Sequence, residues 1–178
     1  MSAKQEFIEI FQENIKRPGS EKLLEWLSQS DFFIAPASTK YHCAFEGGLV
    51  QHSLNVYKLL KKRCAEYGIT DGESIAICGL LHDICKANFY TISYRNAKNE
   101  RGQWEKVPYY TIDDTIPYGH GEKSVIMIQN FIRLSATEII SIRWHMGATD
   151  PGTFLSSYEK PAYSKAVNEC PLLVLLQQ

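Results

Sequence analysis

The chain has 178 residues, 44% hydrophobic and 22% charged, with 19 basic and 20 acidic side chains giving a net charge of −1. That is an ordinary globule with enough chain to bury one core, and it carries no overall basic field, so a nucleotide or nucleic acid would have to be held by a local site. The five cysteines (Cys43, Cys64, Cys78, Cys85 and Cys170) are irregularly spaced without a CxxC pair, which argues against a thiolate zinc site and fits a reducing cytosol.

Phe7, Ile8, Ile10, Phe11 and Ile15 recur at helical spacing and predict a helix over roughly 4–16, closed by Pro18-Gly19. The start of the chain, MSAKQEFIEIF, has acids and no apolar stretch of signal-peptide length. Ser20 is placed to cap a second helix bearing Leu23, Leu24, Trp26 and Leu27, and residues 31–47 read as loop. Gly47-Gly48 opens a long helix to about Tyr67, with an apolar stripe through Leu49, Val50, Leu54, Tyr57, Leu60 and Cys64 and a stop at Gly68. Asp71 or Ser74 caps the next helix, which runs through Ile75, Cys78 and Leu81 to His82-Asp83.

Residues 89–112 change period: FYTISY and WEKVPYYTI are aromatic and β-branched, and Asn99-Glu100-Arg101-Gly102 between them is a turn signal. A β-hairpin inserted in a helical domain is expected. Its tyrosines, Tyr90, Tyr94, Tyr109 and Tyr110, either stack on a base or pair across the strands and cover the core. Helices resume over about 120–133 and, behind the capping box Ser135…Glu138, to about Met146 and Gly147. Asp150-Pro151 and Pro171 suit further helix starts. No repeat or linker divides the chain, so one domain over 1–178 is expected, and PLLVLLQQ reads as a helix cut short at Gln178. The longest apolar run, Leu172 to Leu176, is too short to span a bilayer, so a cytoplasmic protein without a membrane partner is expected.

Four of the five histidines fall in helix-like segments: His52 in QHSLNV, His82 in LLHDICK, His120 in PYGHGEKSV and His145 in IRWHMG. A neutral imidazole binds a divalent metal through one ring nitrogen, and a carboxylate adds charge and can span two metals. His82-Asp83 follows the apolar run Cys78-Gly79-Leu80-Leu81, where burying an ionised Asp costs several kcal/mol, roughly, unless a cation or hydrogen bonds meet it. A metal site is the reading of that pair. Periodicity does not bring His52, His120 and His145 to it, and His42, in the loop KYHCAF, reads as an ordinary hydrogen-bonded histidine, although it could line a cleft.

In order, GGLVQHSLNV, LLHDICK, His120 in YGHGEKSV and His145 in IRWHMG resemble the HD-domain superfamily of metal-dependent phosphohydrolases over roughly 47–178. GGLVQHS followed by LLHDICK is most similar to the HD domain of bacterial 3′–5′ exoribonucleases and related phage-encoded HD proteins. The resemblance implies a mostly α-helical bundle with the hairpin of 89–112 inserted, preceded by an N-terminal helical extension over about 1–46. It implies one or two divalent ions (Mn, Fe, Ni, Zn or Mg), with His52, His82 and Asp83 holding one and Asp83, His120 and His145 the other. Asp83 would also be catalytic. Lys86 would face the phosphate or the attacking water, or else serve only as a cation at a helix end. Lys123 would meet a phosphate or lie on a solvated face. A late Asp of the family pattern is missing after Glu169, and Asp150 is the acid nominated in its place, although its Asp-Pro context suits a helix cap.

The implied activity is hydrolysis of a nucleotide or nucleic-acid phosphoester by a metal-activated water, with a nucleotide or a nucleic-acid 3′ end as substrate. A different phosphate ester, or a non-catalytic HD scaffold that binds a nucleotide or protein partner, is the alternative.

Overall fold

Eight α-helices and one two-stranded ribbon make up the part of the chain described by this computed structural model, residues 1–116, 118–147 and 159–178. The helices are α1 (Ala3–Asn14), α2 (Ser20–Gln29), α3 (Gly48–Glu66), α4 (Gly72–Leu81), α5 (His120–Gln129), α6 (Ala136–Trp144), α7 (Glu159–Glu169) and α8 (Pro171–Leu176), with the strands β1 (Tyr90–Lys98) and β2 (Trp104–Ile112) between α4 and α5. The mostly helical fold with an inserted hairpin is as expected.

Local chemistry sets most of the boundaries. Asp71 accepts from the Ser74 N–H at the head of α4, which decides between the two expected caps. Ser135 and Glu138 form the reciprocal capping box of α6. Gly68, at φ +72, ends α3 where the left-handed region is needed. At α2 the expectation shifts by one residue: Gly19 is the cap, at φ +95, and Ser20 is the first helical residue. The helix start expected at Asp150-Pro151 lies outside the described residues, and α7 was not foreseen.

Helix α4 is buried on every side from Ser74 to Leu81, as its uniformly apolar sequence requires. It packs against α1, α3, α6 and α8. Phe7, Phe11 and Ile15 from the N-terminal segment belong to the same core as Ile77, Leu80 and Leu81. Among the described residues no helix is long and apolar enough to cross a membrane.

The ribbon stands apart from this core. β1 and β2 pair antiparallel from Tyr90↔Ile112 to Lys98↔Trp104, and most of their side chains are exposed. Its turn uses Gly102 at φ +73 and the Asn99 Oδ1, which accepts the N–H groups of Arg101 and Gln103 at 3.0 Å each. At its root Asn88 takes φ +55 and exchanges hydrogen bonds with Asp31, fixing the hairpin to the loop after α2.

Candidate metal centre

Two helix pairs carry the histidines, and each pair closes on a glycine. A Cβ on Gly79 of α4 would stand 2.6 Å from the Tyr57 Cα of α3. Only glycine allows that approach, and it sets the pair that bears His52 and His82. A Cβ on Gly121 of α5 would stand 2.0 Å from the Arg143 carbonyl oxygen of α6. The second crossing sets His120, the first residue of α5, beside His145, which follows the last residue of α6.

His82 and His145 are held alike. Each sits at the C-cap of its helix, with Nδ1 against a carbonyl three residues back: Gly79 at 3.0 Å and Ile142 at 2.7 Å. A carbonyl only accepts, so Nδ1 carries the proton and the Nε2 lone pair points into the cluster. His82 is buried. Burial is the largest influence on it and lowers its pKa to about 4 against the pull of Asp83, so the ring is neutral near neutral pH.

Asp83 lies between the two pairs, 2% exposed. Its Oδ1 is 2.6 Å from His120 Nε2 and 3.3 Å from His145 Nε2. Its Oδ2 is 3.2 Å from His52 Nε2, 3.5 Å from His82 Nε2 and 2.7 Å from Lys86 Nζ. One oxygen serves each histidine pair. Burial pushes the Asp83 pKa up, but the Lys86 ammonium at 2.7 Å and the hydrogen bond with His120 outweigh it and hold the carboxyl well below the usual range. Lys86 is itself buried; desolvation opposes its charge, and Asp83 more than offsets this, so its pKa is raised.

Two triads of ligand atoms result, each within 4.8 Å and sharing Asp83: His52, His82 and Asp83, then Asp83, His120 and His145. The donor set is nitrogen and oxygen. His145 Nε2 is buried without a hydrogen bond, an orphaned lone pair of the kind a cation satisfies. The residues present therefore fit divalent ions of the borderline class.

A cleft of about 350 Å³ opens beside the first triad. Lys86 and His42 line one part of it, and Val56, Leu59 and Leu175 form an apolar wall. His42, read from the sequence as an ordinary histidine able to line a cleft, does line it, its ring centre 4.8 Å from that of His52 and tilted by 41°. Asn55 also reaches the cleft; it was not singled out from the sequence, although it lies one helical turn beyond His52 and so on the same helix face. Cys85 was not singled out either, and its Sγ is 3.4 Å from His120 Nδ1. Burial pushes its thiol up to about 12, so it is an un-ionised neighbour. Lys123 is buried in a salt bridge with Asp114, its Nζ 4.9 Å from the centre of the Phe89 ring. Asp150 lies outside the described residues.

Residues 49–174, well over half of the chain, match the sequence profile of the HD domain. The chain is also 32% identical over 84 residues to the dihydroneopterin 2′,3′-cyclic phosphate phosphodiesterase of Methanocaldococcus jannaschii; that match takes in 44% of this chain and 31% of that enzyme. The chain thus spans about a third of this relative, which is named for an activity other than that of the exoribonucleases the sequence motifs suggested. No solved structure matches the chain.

Proposed function

The chain belongs to the HD-domain family, and on that footing we propose that it is a divalent-metal-dependent phosphohydrolase acting on a phosphodiester of a nucleotide or nucleic acid. The observation that carries this reading is the carboxylate of Asp83, placed with one oxygen toward each pair of histidine Nε2 atoms. In the proposal His52, His82 and Asp83 hold one ion and Asp83, His120 and His145 the second. When bound, such ions lower the pKa of a water and offset charge on phosphoryl oxygens.

The protein's own groups supply the rest. The backbone carbonyls of Gly79 and Ile142 keep two imidazoles in one tautomer. Lys86 keeps its proton and holds a fixed cation at the cleft, where a phosphoryl oxygen gains a charge-assisted hydrogen bond. The side chains of Val56, Leu59 and Leu175 offer the esterified group an apolar surface in the cleft. The relative from Methanocaldococcus jannaschii is named for opening a cyclic phosphodiester, which favours diesters over monoesters. A nucleic-acid 3′ end remains within the proposed substrate class through the motif resemblance.

The alternative reading, a binding scaffold without turnover, draws on one contact: Lys86 Nζ at 2.7 Å already pairs with Asp83. One experiment separates the two. The purified chain is analysed for bound metal and assayed with bis(p-nitrophenyl) phosphate, p-nitrophenyl phosphate and 2′,3′-cyclic nucleotides, with Mn, Ni, Zn or Mg added. Metal-dependent diester cleavage that disappears in Asp83→Ala is expected. Absence of cleavage with every metal would overturn the enzymatic reading.

A further inference from the structure

The two faces of the hairpin differ in chemistry. On one, Tyr94 pairs with Pro108, Ile92 with Tyr110 and Lys98 with Trp104. Tyr94 is 64% exposed, Ile92 57% and Trp104 71%. The remaining pairs of this face are Tyr90 with Ile112 at the root and Asn96 with Lys106 near the tip. It therefore carries two lysines and no carboxylate; the acid of the strands, Glu105, points to the other face opposite Ala97.

We propose that this face is a docking strip for single-stranded nucleic acid, which it leads toward the Asp83 cluster. Flat aromatic and apolar side chains along an extended ribbon accept bases by stacking, and flanking cations follow the phosphates. Lys98 Nζ lies 5.3 Å from the centre of the Trp104 ring, so a phosphate that draws the lysine aside uncovers the indole for a base. The strip also has a direction. Tyr90, its first residue, donates its hydroxyl to the Ala37 carbonyl at 3.2 Å, and four residues before it in the chain the Lys86 ammonium touches Asp83. A β1 strand of nine residues is about 30 Å long, enough for several nucleotides. A second copy of the chain suits the face less well, because two such faces meeting would bring four lysines together without a carboxylate.

The proposal rests on the phosphohydrolase reading only for what the strip delivers; binding itself does not. The test is fluorescence anisotropy of a fluorescein-labelled oligouridylate dodecamer, with EDTA present so that no turnover occurs. The double variant Tyr94→Ala/Trp104→Ala should weaken binding by at least about tenfold, whereas Tyr94→Phe/Trp104→Phe should stay within about twofold. Lys98→Ala and Lys106→Ala should each lower the slope of log affinity against log salt by about 0.7. Turnover of bis(p-nitrophenyl) phosphate should be the same in all of these variants, which also reports their folding. No binding by the parent chain, or equal binding by the alanine pair, overturns the strip. So does a parent dimer in sedimentation that the alanine pair disperses without affecting oligonucleotide affinity, since the face would then join two copies. Stacking-dependent oligonucleotide binding without cleavage of any diester supports the strip and refutes only the enzymatic reading.

Discussion

Arg17 and Glu138, 121 residues apart in sequence, meet through two hydrogen bonds of 2.6 Å each. Glu138 is fully buried and also accepts the Ser74 hydroxyl at 2.6 Å and the Ser135 N–H at 2.7 Å. One carboxylate thus joins the segment after α1 to α4 and to the head of α6. Arg17→Ala leaves that buried charge without its cation and should cost about 3 kcal/mol, read as a lower urea midpoint with an unchanged slope. A loss below about 0.5 kcal/mol would mean that Ser74 and Ser135 suffice.

Acid should weaken the metal-free protein in two stages. The folded His82 titrates at about 4 against an ordinary 6.5, so between those values the unfolded chain takes up a proton that the folded chain refuses, and stability falls as pH drops. Glu138 and Asp71 have lowered pKa values: burial is the largest influence on Glu138 but is outweighed by Arg17 and Ser74, and Asp71 is lowered chiefly by the Ser74 N–H. Their contribution is present above the ordinary carboxylate range and is lost as pH falls through their folded values. Urea midpoints in EDTA, measured against pH, should show His82→Asn flatter than the parent between about 6.5 and 5. Parallel curves would contradict the assignment.

Asp83 should decide metal content. Calorimetric titration with Mn²⁺ should give up to two ions for the parent chain, one for His145→Ala and none for Asp83→Ala. Diester turnover in Asp83→Ala should fall below about one hundredth of the parent. Two ions retained in His145→Ala would remove this histidine from the proposed second set.

Lys86→Met tests the fixed cation. Diester turnover should drop by about a hundredfold while Mn²⁺ stoichiometry is retained. Loss of metal together with activity would assign Lys86 to holding Asp83 in place.

Alanine at Gly79 or Gly121 forces backbone apart at the two helix crossings. Each should cost about 1–3 kcal/mol. Gly79→Ala should perturb the NMR signals of the His52 and His82 rings, and Gly121→Ala those of His120 and His145. A Gly121→Ala chain with both pairs undisturbed would show that the α5–α6 contact does not position them.

What the sequence disclosed follows from what is local. Apolar periodicity marks α3, and the change of period after Phe89 marks β1 and β2. The Ser135 and Glu138 spacing marks the start of α6. The buried His82-Asp83 pair stood out because an ionised group in an apolar run needs a partner. The convergence of His52, His120 and His145 on it depends on helix crossings, and the signal for those lies in Gly79 and Gly121, whose partners Tyr57 and Arg143 are distant in sequence. Arg17–Glu138 was hidden for the same reason. The capping role of Glu138 was legible from three residues away, but its ion pair was not. Lys123 was expected at a phosphate or in solvent, and its burial against Asp114 and Phe89 depends on how the chain returns from the ribbon.

That ribbon has ladder hydrogen bonds and almost no core. A two-stranded hairpin alone is marginal in water, and this one is fastened mainly by Asn88 with Asp31 and by Tyr90 with Ala37 at its base. Its amides should exchange with solvent through local fraying that starts at the Gly102 turn, while those of α4 wait for global unfolding. Such an exchange pattern would give the chain two levels of order: a body that opens only in global unfolding and an arm that samples open forms while the body stays folded.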